Sequence, residues 1–369
     1  MRRVLGNLLL IAVSLLSAVL VCELGLRLFW GGYYLKLDQA YAQDHASRGW
    51  SNTPGARVPY GEPEFVTLVQ HNQLGFRGPE IGAKRADRLR VLVLGDSFAY
   101  GVGVQNDETF SARLEALDRR LEVINTGVNG YGTGQELVVL REDGLRLQPD
   151  VVIVAFFWND VEGTFKNRFV RFAVEDGKLV QLRGQQVTEA ELQARRPNRP
   201  WLRYSYFYRF WSDRVKIARY RVRVALGLPV EDGPELSPEQ REEAWTLTLA
   251  VLSEIDRTTR AAGARLLLVS LPDQVQVQPD ADVTGLDPVE YAVQGRLAEF
   301  AAREGIAFLD LLPPLRETYA RDRQPLYYRQ DRHFLAKTHA LVAQLLRDQL
   351  AARGWLAQLS ADRSAPAPR

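Results

Sequence analysis

The 369-residue chain has one cysteine, Cys22, one methionine and only four histidines. A single cysteine excludes an internal disulfide framework and leaves the redox compartment open. Charge of one sign is also lacking, with 47 basic against 45 acidic residues, a formal net charge of +2. There is therefore no overall basic field of the kind that attracts nucleic acid. No Gly-Lys-Ser/Thr phosphate loop follows an apolar run, and Gly101-Val-Gly103 lacks the third glycine of a dinucleotide fingerprint. No histidine or cysteine cluster has metal-ligand spacing. The sequence calls for no metal and no cofactor.

What is present is ordinary globular material, 46% hydrophobic and 25% charged, enough for a substantial core. Arg2-Arg3 precede Val4–Cys22, about 19 uncharged residues, close to the length that crosses a bilayer. Phe29, Trp30, Tyr33 and Tyr34 follow, as aromatics do at a membrane surface. Basic residues ahead of the span place the N-terminus in the cytoplasm and the remainder outside, on the periplasmic or cell-surface side. No small-x-small cleavage site follows the run, and Val19-Leu20-Val21 is too bulky for a lipoprotein site before Cys22. Residues 1–34 thus read as an uncleaved single-pass anchor. Glu23 and Arg27, four apart, carry the helix past the span. Residues 35–88 read as an extracytoplasmic lead-in of loops, whose turn-rich Asn72–Gly78 segment packs on the edge of the next domain.

From Arg90 the pattern alternates. Apolar runs at Val91–Leu94, Leu121–Ile124, Val151–Phe157, Ala264–Leu271 and Ile306–Leu309 read as strands. Helical periods lie at Thr109–Leu117, Gln135–Leu147, Arg241–Ala262, Pro288–Arg303 and about His339–Arg353. This predicts an α/β fold over residues 89–356: a flavodoxin-like three-layer α/β/α sandwich with a five-stranded, mostly parallel sheet. An insertion of about residues 161–240 follows the third strand. It holds a hairpin around Glu175-Asp-Gly177, then a stretch, 195–223, in which arginines interleave with tryptophan, tyrosine and phenylalanine. That stretch suits a solvated helical insertion, a wall of the active site, or contact with anionic lipid; nucleic acid fits least. The tail 357–369, rich in Ala, Pro and Arg, is expected to be disordered.

The first strand ends in Gly95-Asp96-Ser97, at the sheet edge where such folds bind ligands. Ser97 either caps the following helix or is a nucleophile, and a nucleophile needs a base and an oxyanion site. Phe98 onward reads as a Gly-rich loop. Among the histidines, His333 lies after the last strand with Asp331 two residues before it, a base with its orienting carboxylate. His339 reads as packing or capping near the site. Oxyanion donors are expected from Gly130, in Asn125–Thr133 after the second strand, and from Asn159 after the third. Asp96 and Asp160 read as loop-fixing, and Phe157 and Trp158 as residues bounding a narrow apolar substrate site.

Together these blocks resemble the SGNH subset of the GDSL hydrolases: Gly95-Asp-Ser-Phe98, Asn125–Gly130, Trp158-Asn-Asp160 and Asp331–His333. The likeness covers about residues 88–160 and 300–352. It implies a serine hydrolase of ester bonds with Ser97 as nucleophile and His333 as base, oriented by Asp331. Ser97 N–H, Gly130 N–H and Asn159 would form the oxyanion hole. Two departures stand out. Phe157 replaces a glycine usual in the third block, and Asp331 and His333 are two apart rather than three. The shorter spacing resembles membrane-linked SGNH carbohydrate O-acyltransferases. The expected activity is thus an esterase acting on an ester-bearing lipid or glycan outside the membrane. The alternatives are an O-acyltransferase acting on a cell-envelope glycan and a non-catalytic binder of envelope polymers.

Overall fold

The computed structural model describes residues 2–30, 41–62, 64–186, 205–225, 236–279 and 293–356. The chain begins with helix α1 (Arg2–Trp30), of which Arg3–Phe29 is long and apolar enough to cross a membrane. Apart from Leu26, which is buried, its leucines and valines are exposed, and over most of its length none of the other described residues covers them. The lead-in is more regular than its sequence implies. It forms two antiparallel hairpins, β1 (Ala42–His45) with β2 (Gly49–Asn52), and β3 (Arg57–Glu62) with β4 (Phe65–Gln70). Strands this short, one of them carrying Pro59 and Gly61, leave little alternation to detect.

The sheet is built from β5 (Leu89–Gly95), β6 (Leu121–Asn125), β7 (Val151–Phe156), β10 (Arg265–Ser270) and β11 (Ala307–Asp310). The two intervening strands, β8 (Arg171–Glu175) and β9 (Lys178–Leu182), form the hairpin expected around Asp176-Gly177. Sheet order is β11-β10-β7-β5-β6, every neighbouring pair parallel. This is the flavodoxin-like order, and it puts the reversal of winding between β5 and β7.

Alternate residues of the central strands serve two cores. Leu92 and Leu94 with Val152, Val154 and Phe156 face helices α4 (Thr133–Val139), α7 (Pro238–Ala261) and α9 (Val293–Glu304). Val91 and Val93 with Ile153 and Ala155 face α3 (Phe110–Leu117), α10 (Leu312–Asp322) and α11 (Ala336–Ala352). Burial on both faces explains the continuous apolar runs in place of alternation, and each such leucine or valine contributes roughly 1.5–3 kcal/mol. Arg90, only 3% exposed, pairs across the sheet with Glu122 and donates to the carbonyls of Leu147 and Gly82. A buried guanidinium is tolerable because its donors are met.

Two elements differ from expectation. The single helix predicted over Gln135–Leu147 is α4 followed by a π turn at Leu140–Gly144 and a 3₁₀ turn at Leu145–Leu147. The wider turn lays Gly144 on the sheet, where a β-carbon would stand 2.6 Å from Leu92. After β5 the chain does not enter a loop but turns at once into α2 (Ser97–Tyr100). Gly95 permits this: at φ 154° a β-carbon would stand 2.6 Å from that of Ala99. The other elements are α5 (Asn159–Phe165), α6 (Tyr206–Ala225) and the single turn α8 (Gln274–Val277). The insertion's residues 195–204, the start of the predicted helix at 288–292 and the tail 357–369 lie outside the described residues.

Candidate active site

Ser97 is the first residue of α2, at the carboxyl end of β5. The cap of that helix is not Ser97 but Asp96, whose carboxylate accepts the Phe98 N–H at 2.8 Å. The serine hydroxyl is thereby left to its neighbours. His333 Nε2 lies 2.8 Å from Ser97 Oγ, and His333 Nδ1 lies 2.6 Å from Asp331 Oδ1. Groups 236 residues apart meet at one rim. With the Nδ1 hydrogen donated to Asp331, Nε2 presents its lone pair to the Ser97 hydroxyl. Asp96 Oδ2, at 3.2 Å, is the longer alternative acceptor.

The loop carrying His333 is tightly held. Tyr328 N–H donates to the His333 carbonyl, and Arg332 adopts φ 71°, a left-handed conformation unfavourable for a side chain of its size. Arg332 Nη2 bridges both carboxylate oxygens of Asp273, at 2.7 and 2.6 Å, and the Trp158 indole donates to the same carboxylate at 3.2 Å. On the other side, Glu64 accepts the consecutive N–H groups of Arg329, Gln330 and Asp331 at 2.9, 2.6 and 2.8 Å.

The lead-in grips two further loops of this rim. Trp50 donates its indole N–H to the Asn129 carbonyl and Asn52 its amide to Gly127. Arg77, 4% exposed, donates to the carbonyls of Tyr100, Gly101 and Val104. Its backbone pairs with Asn125 of the edge strand β6, so Asn72–Gly78 does pack on the sheet edge. Glu64 and Asp273 had no signal in the sequence, and Arg77 none beyond lying in the segment expected to pack on the sheet edge. Glu64 sits in a turn and Asp273 caps a one-turn helix, and only tertiary contact brings all three to the site.

Gly130 is exposed, with φ 79°, in the loop between β6 and α4. Asn159 opens α5 at the end of β7, half-buried, its Oδ1 buried without a protein partner. Phe157 is 6% exposed and packs against Phe98 at 4.2 Å between ring centroids, the rings tilted by 38°, and Phe98 in turn lies 4.8 Å from the His333 ring. Trp158 is half-buried beside Phe157. Asp160 Oδ2 accepts the Phe157 N–H at 2.9 Å, holding the turn.

Beneath Ser97 lie three carboxyl groups shut off from solvent: Asp96, Asp160 and Glu136 of α4. Both Glu136 oxygens and Asp160 Oδ1 are buried without protein partners. Burial pushes all three carboxyls above the ordinary range, and mutual repulsion adds to this for Glu136 and Asp160. Glu136 is a position where helical periodicity alone announces nothing.

His339 is buried, stacks on Phe110 and accepts the Phe110 N–H through Nδ1 at 3.2 Å. Burial, with Arg77 and His333 nearby, pushes its pKa down to about 3. Its unfolded value is about 6.5, so below that pH the unfolded chain binds a proton that the folded chain refuses. Its stabilising contribution is therefore lost as pH falls from about 6.5 towards 3. Replacing His339→Gln keeps an acceptor for Phe110 and removes the titration. The melting temperature of wild type relative to this variant should fall between pH 7 and pH 4; a constant difference refutes the assignment.

Comparison with curated protein sequences found no match. Among solved structures the chain is similar to LAE5, an alpha/beta hydrolase enzyme from the metagenome of Lake Arreo, Spain, with 17% identity and a TM-score of 0.42 over 74% of this chain and 99% of that one. It is also similar to Axe2, an acetylxylan esterase from Geobacillus stearothermophilus, with 13% identity and a TM-score of 0.40 over 72% and 96% of the two chains. A putative acylhydrolase from Bacteroides fragilis gives 15% identity and a TM-score of 0.39 over 75% and 92%. A family model, the GDSL-like lipase/acylhydrolase family, matches residues 93–341, more than half of the chain, and spans Ser97, Asn159 and His333. The chain belongs to the GDSL-like lipase/acylhydrolase family, the SGNH hydrolases.

Proposed function

We propose that the protein is a serine esterase that removes an ester-linked acyl group from a lipid or glycan outside the cytoplasmic membrane, to which α1 anchors it. The Ser97–His333–Asp331 relay, at 2.8 and 2.6 Å, carries this reading. Ser97 Oγ adds to the ester carbonyl carbon while its proton passes to His333 Nε2, and Asp331 stabilises the imidazolium. The carbonyl oxygen becomes an oxyanion, received by the Ser97 and Gly130 N–H groups and the Asn159 amide. Collapse breaks the bond to the alcohol oxygen, which takes the proton from His333. Water then attacks the acyl-enzyme by the same route and releases the acid. Trp158, with Phe157 beneath it, bounds the apolar side of the site.

A fluorophosphonate probe should label Ser97 in wild type and not in Ser97→Ala. Absence of labelling in both would point instead to a non-catalytic envelope-binding protein. The two-residue Asp331–His333 spacing supports a second reading, transfer of the acyl group to a glycan hydroxyl. Acylated glycan formed in excess of free acid would establish transfer over hydrolysis.

Glu64 holds the base loop from the lead-in, through the N–H groups of Arg329, Gln330 and Asp331. Its loss should loosen the relay by a fraction of an ångström. Glu64→Ala is expected to lower kcat about 10- to 100-fold with KM little changed, whereas Glu64→Gln, which keeps an acceptor oxygen, retains most activity. Equal losses in kcat and melting temperature for both variants would show a merely structural role.

A further inference from the structure

Helix α6 starts against α1. Glu23 stands one residue beyond the uncharged run Val4–Cys22, and its carboxylate accepts the N–H groups of Tyr206 and Phe207 at 3.0 and 2.8 Å and the Ser205 hydroxyl at 3.0 Å. The two N–H groups are donors that the first turn of a helix cannot satisfy internally. Arg27, one turn along α1, pairs with Glu23 at 2.8 Å and sits over the Tyr206 ring at 5.0 Å. The start of α6 is thus fixed at the level where the apolar run of α1 ends.

From that point α6 presents an exposed stripe. Tyr208, Trp211, Val215 and Val222 are each about half exposed, and Ala218 is exposed between them. At about 100° per residue these five positions fall within an arc of about 80°. Arg214 and Arg219, both exposed, flank the stripe on opposite sides. Across Tyr206–Ala225 there are six basic residues and one acid. An apolar stripe with tyrosine and tryptophan near one end, basic flanks and a fixed start beside a membrane-length helix matches a helix lying in a headgroup layer. A partner protein would need a covering surface of its own; the bilayer is already beside α1.

We infer that α6 is an interfacial helix. It lies on the bilayer that α1 enters, with Tyr208, Trp211, Val215, Ala218 and Val222 towards the acyl chains and Arg214 and Arg219 on anionic headgroups. This rests on the reading of α1 as a membrane span, and it gives the catalytic domain a second attachment to the surface.

The test uses the full chain, reconstituted in vesicles of phosphatidylcholine with or without phosphatidylglycerol. In a Cys22→Ser background, Val215→Cys is labelled with an environment-sensitive fluorophore. The same fluorophore on native Cys22, in the otherwise unaltered chain, reports α1. Quenching of the Val215 position by lipids spin-labelled near the headgroup, stronger with phosphatidylglycerol and reduced by Arg214→Gln with Arg219→Gln, supports the assignment. Quenching at Cys22 without quenching at position 215 overturns it while leaving the anchor intact. Quenching at neither position overturns the anchor as well. Shielding of position 215 that is insensitive to lipid quenchers and varies with protein concentration overturns it in favour of a second copy of the chain.

Discussion

Ser97→Ala and His333→Ala should each lower kcat for a short-chain aryl ester by about 10⁴-fold or more, and the double variant should be scarcely worse than either. The expectation follows from the shared proton. Ser97 Oγ has no strong nucleophilicity until His333 Nε2, 2.8 Å away, can take its hydrogen. Without the histidine the serine is an ordinary alcohol, and without the serine the base has no nucleophile to serve. The fold should survive both changes. Ser97 contributes no cap to α2, since Asp96 does that, and the His333 ring is partly open, at 19% side-chain exposure. Circular dichroism and melting temperature should therefore match wild type within a few degrees while turnover is lost. Additive losses, or turnover within tenfold of wild type in either variant, would sink the serine mechanism.

Asn159→Ala should cost about 10²- to 10³-fold in kcat with KM little altered. An oxyanion donor acts on charge that develops only as the carbonyl becomes tetrahedral, so ground-state binding gives up little. Asn159 is well placed for such selectivity, because it opens α5 and its position is set by the end of a buried central strand. Its amide also reaches Asp96 in the turn before Ser97, so a purely structural loss has to be separated. Inhibitor binding makes that separation. A boronate that forms a tetrahedral adduct should bind Asn159→Ala far more weakly than wild type, whereas a non-reactive ester analogue should bind both alike. Parallel weakening of the two would mean that Asn159 serves the turn and not the oxyanion.

The blocks around Ser97 and Asn159 were legible because each directly follows an apolar run, so strand ends could be located from hydrophobicity alone. His333, separated from β11 by α10, was legible instead as one of only four histidines, with an aspartate two residues before it. The five strands followed from the same runs, since strands buried on both faces must be apolar throughout, and the flavodoxin-like class followed from their alternation with helices. The hairpins of residues 42–70 were not legible. Their strands have mixed burial, and their value lies in what they touch rather than in their own pattern. Glu136 was equally silent, because a glutamate on an amphipathic helix is ordinary until packing seals it beneath Ser97.

The sequence by itself determined the α/β class, the apolar N-terminal helix and which residues carry reactive side chains, because hydrophobic period and residue chemistry are local properties. Only the tertiary structure decided that Asp331, His333 and Ser97 meet in line, that Glu64, Arg77 and Trp50 reach across from the lead-in to hold their loops, and that α6 begins on Glu23. Those contacts join residues far apart in the chain. Their free energy depends on geometry that no local pattern encodes.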